Sequence, residues 1–356
     1  MNSFYATFIP GLQDLIAETI KQRLSDVKIR KLLDGAVLFE TEISYDKLNF
    51  FCFNNIFAVV SIMEHAEISD ALEKHIKSAI KSGGGGEIIA NNSGKIKTFR
   101  VVFSRENIPA SVDERLRIEA EKYISSVCAL KIDRSLPDTE FWFLFRRVES
   151  GTDFSLFMKR LTLRPSWEKS LHKGELPPPL AWALCRIARL SHGQTVLDPF
   201  CGYGSIPQAA LKYFHITKFI ACDSDKKAAL YTAAGFKERK QNDFILHICD
   251  FGSLPSLVAE KSVDVIVTDP PWGHYSKIDG NAFYAKMFTV FEKLLKDGGR
   301  AVVLCANKDG LLMAIPDCFS LENHIPILLS GKKTAIFEFS LKKNSHGGTE
   351  ARSCCS

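Results

Sequence analysis

The sequence predicts an α/β chain: a doubly wound parallel sheet in the C-terminal half, preceded by an α+β region. Three observations carry that prediction. From about Arg164 to Lys343, short unbroken apolar runs alternate with helical segments, the pattern of parallel strands covered on both faces. Four consecutive runs of this kind end in an acid: Asp198, Asp223, Asp250 and Asp269. The N-terminal half lacks this alternation and mixes amphipathic helices with strands that carry charge.

In chain order, FYATFI is a short strand and PGLQDLIAETIKQRL an amphipathic helix. Two or three strands follow around AVLFET and NIFAVVSIM. SGGGGE (82–87) and NNSGK (91–95) bracket a flexible loop, which lacks the Lys-Ser/Thr pair that a phosphate-binding P-loop needs. KTFRVVFSR is a strand bearing basic residues, SVDERLRIEAEKYISSV a helix and FWFLFRRV (141–148) a further strand. In the junction RPSWEKSLHKGELPPPLAWALCRIARL the prolines exclude a helix before about Pro178, and a helix from Leu180 to Leu190 follows.

The second half continues with the strands TVLDPF (195–200), KFIACD (218–223), ILHICD (245–250) and VDVIVTD (263–269), and with helices in PQAALKYF and KKAALYTAAGF. A helix through FYAKMFTVFEKLLKD is expected to stop at Gly298-Gly299, the usual C-cap residue type. AVVLCA (301–306) and TAIFEFSL (334–341) are the last strands.

Composition narrows the class. The 356 residues are 46% hydrophobic and 24% charged, ordinary for a globular protein. A net charge of +5 permits a polyanionic partner without demanding one. MNSFYATFIPGLQ does not read as a signal peptide, and no apolar run approaches a membrane span. The ten cysteines are scattered without a Cys-x-x-Cys pair, which argues against structural zinc and a disulfide framework. No metal is expected, and free thiols inside apolar runs suit a reducing cytoplasm.

The first glycine loop, LDPFCGYGSIPQAA, follows the first acid-ended strand. Gly202 and Gly204 let the backbone turn tightly and approach a ligand, although a Gly-x-Gly pair alone is equally an ordinary strand-to-helix turn. Asp223 lies about 20 residues on, the spacing at which an acid meets ribose hydroxyls. Any one of the four acids alone is better read as a helix N-cap; together they line one cleft. Four carboxylates repel a pyrophosphate, and Pro207 stands where a dinucleotide fingerprint has its third glycine. An adenosine ligand with net positive charge fits, and S-adenosylmethionine is such a ligand.

The stretch VIVTDPPWGHY then places an acid, two prolines and a large ring at the tip of a strand. Packing alone does not ask for that combination. A carboxylate, a rigid carbonyl and a flat ring at one point offer a ligand two acceptors and a stacking face. The bland alternative is a Pro-Pro turn with a packed Trp. Methylation at a pyrimidine ring carbon needs a nearby cysteine nucleophile, which TDPPWG lacks.

DPFCGYGS, ACDSD, ICD and TDPPW together resemble the class I methyltransferases that modify exocyclic amino groups of nucleobases, a Rossmann-like fold. HKGELPPPLAWAL resembles the connector before the catalytic domain of the THUMP-containing RNA guanosine methyltransferases. IPGLQDLIAETI resembles their ferredoxin-like leader, and KTFRVVFSR and LKIDRSLPDTEFWFLFRR resemble THUMP strands. The resemblance implies a ferredoxin-like region over 1–58, a THUMP-like RNA-binding domain over 59–163, a methyltransferase domain over 164–343 and a flexible tail over 344–356. It further implies that Asp198, Phe200, Gly202 and Gly204 hold the methionine part of the cofactor, Asp223 the ribose and Asp250 the adenine amino group, with Leu176 closing the pocket. Asp269, Pro270, Pro271 and Trp272 match the target-base motif, where Tyr or Phe is commoner than Trp.

The expected activity is methylation of the 2-amino group of guanosine in RNA, foremost tRNA. The alternatives are adenine-N6 methylation of RNA or DNA, a non-catalytic RNA-binding protein of the same fold, and a small-molecule methyltransferase. The expected partner is RNA, without a membrane, for a cytoplasmic monomer that takes a small activating subunit if it is eukaryotic. Lys95, Lys97, Arg100, Arg146, Arg147, Arg160 and Arg164 are the candidate RNA contacts, each equally readable as a solvated surface residue.

Overall fold

A computed structural model describes residues 1–48, 50–65, 70–83, 85–90, 96–106, 108–148, 152–162, 171–237, 243–271, 280–329 and 331–343. The chain divides into two compact units, Met1–Ser170 and Leu171–Ser356. The tail over 344–356 lies outside the described residues.

The first unit runs β1 (Asn2–Thr7), α1 (Gln13–Arg23), β2 (Lys28–Leu33), β3 (Ala36–Thr41), β4 (Asn55–His65), α2 (Ala71–Ser82), α3 (Gly86–Ala90), β5 (Thr98–Arg105), β6 (Ile108–Pro109), α4 (Glu114–Cys128), β7 (Lys131–Ile132), β8 (Thr139–Arg146) and β9 (Asp153–Arg160). Its strands form one sheet in the order β2-β3-β1-β4-β9-β8-β5-β6, with β7 also pairing with β5. Residue 58 falls inside β4, which pairs with β1 on one side and β9 on the other, so a single sheet runs across that position. Helices α2 and α4 press Leu72, Ile76, Leu116 and Ile124 onto Phe99, Phe103, Phe141, Phe143 and Phe157. The rings of Phe143 and Phe157 stack with centroids 4.4 Å apart. Each such buried Phe contributes about 1.5–3 kcal/mol. Asp113 starts α4 by accepting the N–H groups of Arg115 and Leu116, which is the reason a helix begins at that acid.

Two parts of this unit differ from expectation. SGGGGE is not a continuous loop: Gly83, at φ +60°, ends α2, and Gly86 already opens α3. NNSGK lies outside the described residues. Helix α2 and strand β9 are additions to the expected elements. The latter, DFSLFMKR, is buried along almost its whole length and so shows no clean period of two. Behind α2, a buried polar chain joins Ser61 Oγ to His75 Nε2 (2.9 Å), His75 Nδ1 to Ser155 Oγ (2.7 Å) and Ser155 Oγ to His65 Nε2 (2.7 Å).

The second unit runs α5 (Pro178–Ile187), β10 (Thr195–Asp198), α6 (Ser205–Tyr213), β11 (Lys218–Asp223), α7 (Lys226–Gly235), β12 (Phe244–Ile248), a 3₁₀ turn (Phe251–Ser256), β13 (Val263–Thr268), α8 (Gly280–Leu294), β14 (Leu295–Cys305), α9 (Lys308–Met313), β15 (Phe319–Leu329) and β16 (Lys332–Leu341). The sheet order is β12-β11-β10-β13-β14-β16-β15. The first five strands are parallel, and β16 enters antiparallel between β14 and β15. Chain order therefore reverses between β10 and β13, which opens a crevice at the carboxyl ends of those strands. The Rossmann-like expectation for this half is met.

Pro178 stands in the first turn of α5, where its missing N–H costs nothing. The end of α8 is a correction. It stops at Leu294, and Gly298 lies in an irregular stretch of β14 between the pairs Val263–Leu295 and Val265–Arg300. Lys261 caps the helix instead: its backbone N–H donates to the Lys293 carbonyl and its Nζ to that of Glu292, both at 2.9 Å. The strand β15 is a further addition; it holds Pro326 and many exposed residues because it is an edge strand.

Candidate active site

A cavity of about 860 Å³ opens at the crevice between β10 and β13. It is lined by Leu176, Asp198, Phe200, Gly202, Asp223, Asp250, Asp269, Pro270 and Pro271. The fold thus brings nine of the expected site residues to one place. Gly204, the residue before α6, is not itself a lining residue but sits between Tyr203 and Ser205, which are. Trp272 lies outside the described residues.

Each acid reaches the cavity from the carboxyl end of a strand: Asp198 and Asp223 end β10 and β11, Asp269 directly follows the buried β13, and Asp250 lies two residues beyond the half-buried edge strand β12. Asp198, at the end of β10, is only 1% exposed. Its Oδ1 accepts the Thr268 hydroxyl from the neighbouring β13 (2.7 Å) and the Phe200 N–H (3.1 Å). Burial pushes its carboxyl up to about 7; the two hydrogen bonds act in the opposite direction, and Asp223 adds to the rise.

Asp223 organises the glycine loop. One of its oxygens accepts the Gly202 N–H (2.7 Å) and the other the Asp225 N–H (2.8 Å). Each oxygen keeps a lone pair for a further donor, which suits a pair of vicinal hydroxyls. Gly204 has φ +87°, and a Cβ on it would meet Thr232 Cγ2 and Oγ1 at 2.9 Å. Thr232 cannot easily yield, since its hydroxyl donates to the Gly202 carbonyl (2.8 Å). Gly202 differs: φ is +49°, and a Cβ there would meet nothing within 4 Å.

Asp250 caps the 3₁₀ turn through Gly252 N–H (2.8 Å) and accepts Lys286 Nζ (2.9 Å) on the same oxygen. The Lys286 ammonium holds this carboxyl below the usual range, helped by the Gly252 N–H and opposed by desolvation. Phe251 packs between Phe200 (4.8 Å) and Phe283 (5.4 Å), making an aromatic wall. Phe251, Phe283 and Lys286 are cavity residues that sequence reasoning did not single out. A Phe directly after a strand-end Asp was the available signal for the first; nothing local marks the other two.

The connector also contributes. Leu176 hands its carbonyl to the Ser205 hydroxyl (2.9 Å), and His172 stacks on Tyr203 at 4.1 Å between centroids. These contacts hold Gly174–Pro177 against the glycine loop.

The basic candidates of the first unit fare less well. Glu140, 3% exposed, is paired by both Arg100 and Arg160. Arg146 is buried and lies 3.7 Å from Glu106. Arg100 and Arg160 are committed to the buried Glu140, because an Arg that packs into a sheet face must be compensated there, and Arg146 is buried beside the exposed Glu106. Lys97 and Arg147 remain at the surface, and Lys95 and Arg164 lie outside the described residues.

Residues 165–323 match the family described as RMKL-like, methyltransferase domain. The tRNA (guanine(10)-N2)-dimethyltransferase of Methanocaldococcus jannaschii is 30% identical over 238 residues, 62% of this chain and 64% of that protein. A probable tRNA (guanine(10)-N2)-dimethyltransferase of Methanothermococcus thermolithotrophicus is 30% identical over 150 residues, 41% of this chain and 90% of the relative. The chain belongs to the tRNA guanine-N2 methyltransferase family. It spans less than two thirds of the length of the first of these methyltransferases. The fold agrees: the crystal structure of TrmN from Thermus thermophilus superimposes with a TM-score of 0.79 at 21% identity, covering 96% of this chain and 100% of TrmN.

Proposed function

We propose that this chain transfers a methyl group from S-adenosylmethionine to the 2-amino group of guanosine in RNA, foremost tRNA. One observation carries the proposal: Asp269, Pro270 and Pro271 line the same cavity as Asp198, Gly202, Asp223 and Asp250. A site for an amine and a site for an adenosine cation therefore share one space.

The residues present fit the cofactor. The open face of Gly202 leaves room for a ligand against the loop backbone. Asp223 would hold the ribose hydroxyls, Asp250 the adenine amino group, and Asp198 with Phe200, Gly202 and Gly204 the methionine part. Leu176 would close the pocket from the connector. The carboxylates favour a cation and disfavour a phosphate, in keeping with a sulfonium ligand. When bound, the cofactor supplies an activated methyl electrophile.

The chain's own task is alignment. The guanine amine is a poor nucleophile because its lone pair is delocalised into the ring. Asp269 would accept one amine N–H and stabilise the positive charge that grows on nitrogen. The Pro270 carbonyl would accept the other, held by a ring without a donor of its own. Holding nitrogen in line with the methyl carbon contributes roughly 7–11 kcal/mol to such a step. Trp272 would stack on a base that is flipped out or already unpaired.

On this proposal the first unit is a ferredoxin-like and THUMP-like RNA grip in a cytoplasmic protein. With Arg100 and Arg160 paired to the buried Glu140 and Arg146 itself buried, the grip would fall to residues such as Lys97 and Arg147.

The test supplies labelled S-adenosylmethionine and total RNA, then identifies the labelled nucleoside. N2-methylguanosine is expected, and Asp269→Ala should lower turnover by about 10²–10³-fold, as for loss of one charge-stabilising group. Label in N6-methyladenosine would overturn the guanosine assignment.

A further inference from the structure

We infer that Lys286 is a positioning residue for the adenine end of the cofactor: it fixes the Asp250 carboxylate so that one oxygen is left for the purine 6-amino group, and thereby sets the preference for adenine over a 6-oxo purine. The inference rests on the cofactor proposal above.

The geometry is specific to this corner of the cavity. Lys286, on α8, reaches across 36 positions of sequence to Asp250 Oδ1 at 2.9 Å. The Gly252 N–H occupies the same oxygen at 2.8 Å. Two donors on Oδ1 pin the carboxylate plane, and among the described residues Oδ2 has no hydrogen-bond donor. The Lys286 ammonium also lies 4.8 Å from the centroid of Phe251, the ring next to Asp250 on the cavity wall. A single side chain therefore braces both a polar edge and an aromatic face.

Gly252 permits the approach. A Cβ there would meet Lys286 Cε at 2.5 Å, Nζ at 2.6 Å and Asp250 Oδ1 at 2.7 Å. The close packing of ammonium, glycine and carboxylate is thus a local construction that one methyl group would disturb.

The chemistry follows from the acceptor-only nature of a carboxylate. Oδ2 can take a hydrogen bond from a 6-amino group but faces repulsion from a 6-oxo oxygen. The carboxylate is ionised at neutral pH in any case, and the two fixed donors keep it from rotating. Without Lys286, only the Gly252 N–H restrains the group. Lys286 and Asp250 are both more than half exposed, so the pair adds little to stability and acts through orientation.

The experiment compares S-adenosylhomocysteine and S-inosylhomocysteine by calorimetry on the full chain, for wild type, Lys286→Met, Lys286→Arg and Gly252→Ala. Wild type should prefer the adenosyl compound by about tenfold or more, the worth of one hydrogen bond to a charged group. Lys286→Met and Gly252→Ala should weaken adenosyl binding while leaving inosyl binding nearly unchanged, so that the ratio collapses, and Lys286→Arg should restore most of it. Unchanged thermal midpoints would accompany these shifts. A Lys286→Met variant that weakens both ligands equally, or neither, overturns the positioning role. A wild-type chain that binds neither ligand overturns the cofactor proposal itself.

Discussion

Asp198→Asn should stabilise this protein at neutral pH while weakening its hold on the cofactor. Asp198 is a carboxyl sealed at the switch point, and burial lifts it from 3.8 to about 7. An acid raised in the folded state binds more protons folded than unfolded, so stability falls as pH climbs from about 4 to about 7 and then levels. At about 1.4 kcal/mol per pH unit, that interval amounts to about 4 kcal/mol. Asparagine keeps an Oδ1 for the Thr268 hydroxyl and the Phe200 N–H, and it never ionises. Denaturant midpoints followed by circular dichroism at pH 4 to 8 supply the assay. The two proteins should match near pH 4 and diverge toward pH 8, with the variant the more stable. Calorimetry at pH 8 should show the opposite order for S-adenosylmethionine, because the ionised carboxylate that burdens the fold attracts the cationic ligand. A stability difference that stays constant across the range would refute the reasoning.

Three further predictions use the same structure. Gly204→Ala meets both a left-handed backbone, costing roughly 1–2 kcal/mol, and the buried Thr232 at 2.9 Å; thermal unfolding should show the larger loss here. Gly202→Ala carries only the backbone cost, yet its methyl enters the cavity, so cofactor affinity should fall more than stability does. In the first unit, burial pushes His75 down to about 4, with His65 adding to the fall. A histidine depressed in the folded state contributes stability that is present above about 6.5 and lost as pH drops toward 4. His75→Gln should therefore flatten the acid limb of the unfolding profile; an unaltered limb would show that the Ser61–His75–Ser155 chain is not its cause.

The sequence by itself determined the architecture of the second unit and most of its site. Buried parallel strands must be apolar throughout, and each hands its last residue to the same edge of the sheet. Asp198, Asp223, Asp250 and Asp269 could therefore be placed in one cleft from their positions alone, and the cavity contains all four. Elements that break those rules were less legible. The edge strand β15 carries a proline, and β9 is buried along nearly all its length, so neither shows a clean period of two.

Partnership between distant side chains belonged to the tertiary structure alone. Nothing near Lys286 in sequence points to Asp250, and nothing near Glu140 announces that it binds both Arg100 and Arg160. A basic residue on a strand looks the same in sequence whether water or a buried carboxylate receives its charge. The difference is desolvation, which is set by what the fold packs over the residue. The same holds for Asp198: its place at a strand end is written in the sequence, but its raised protonation range depends on the strands and loop that close around it.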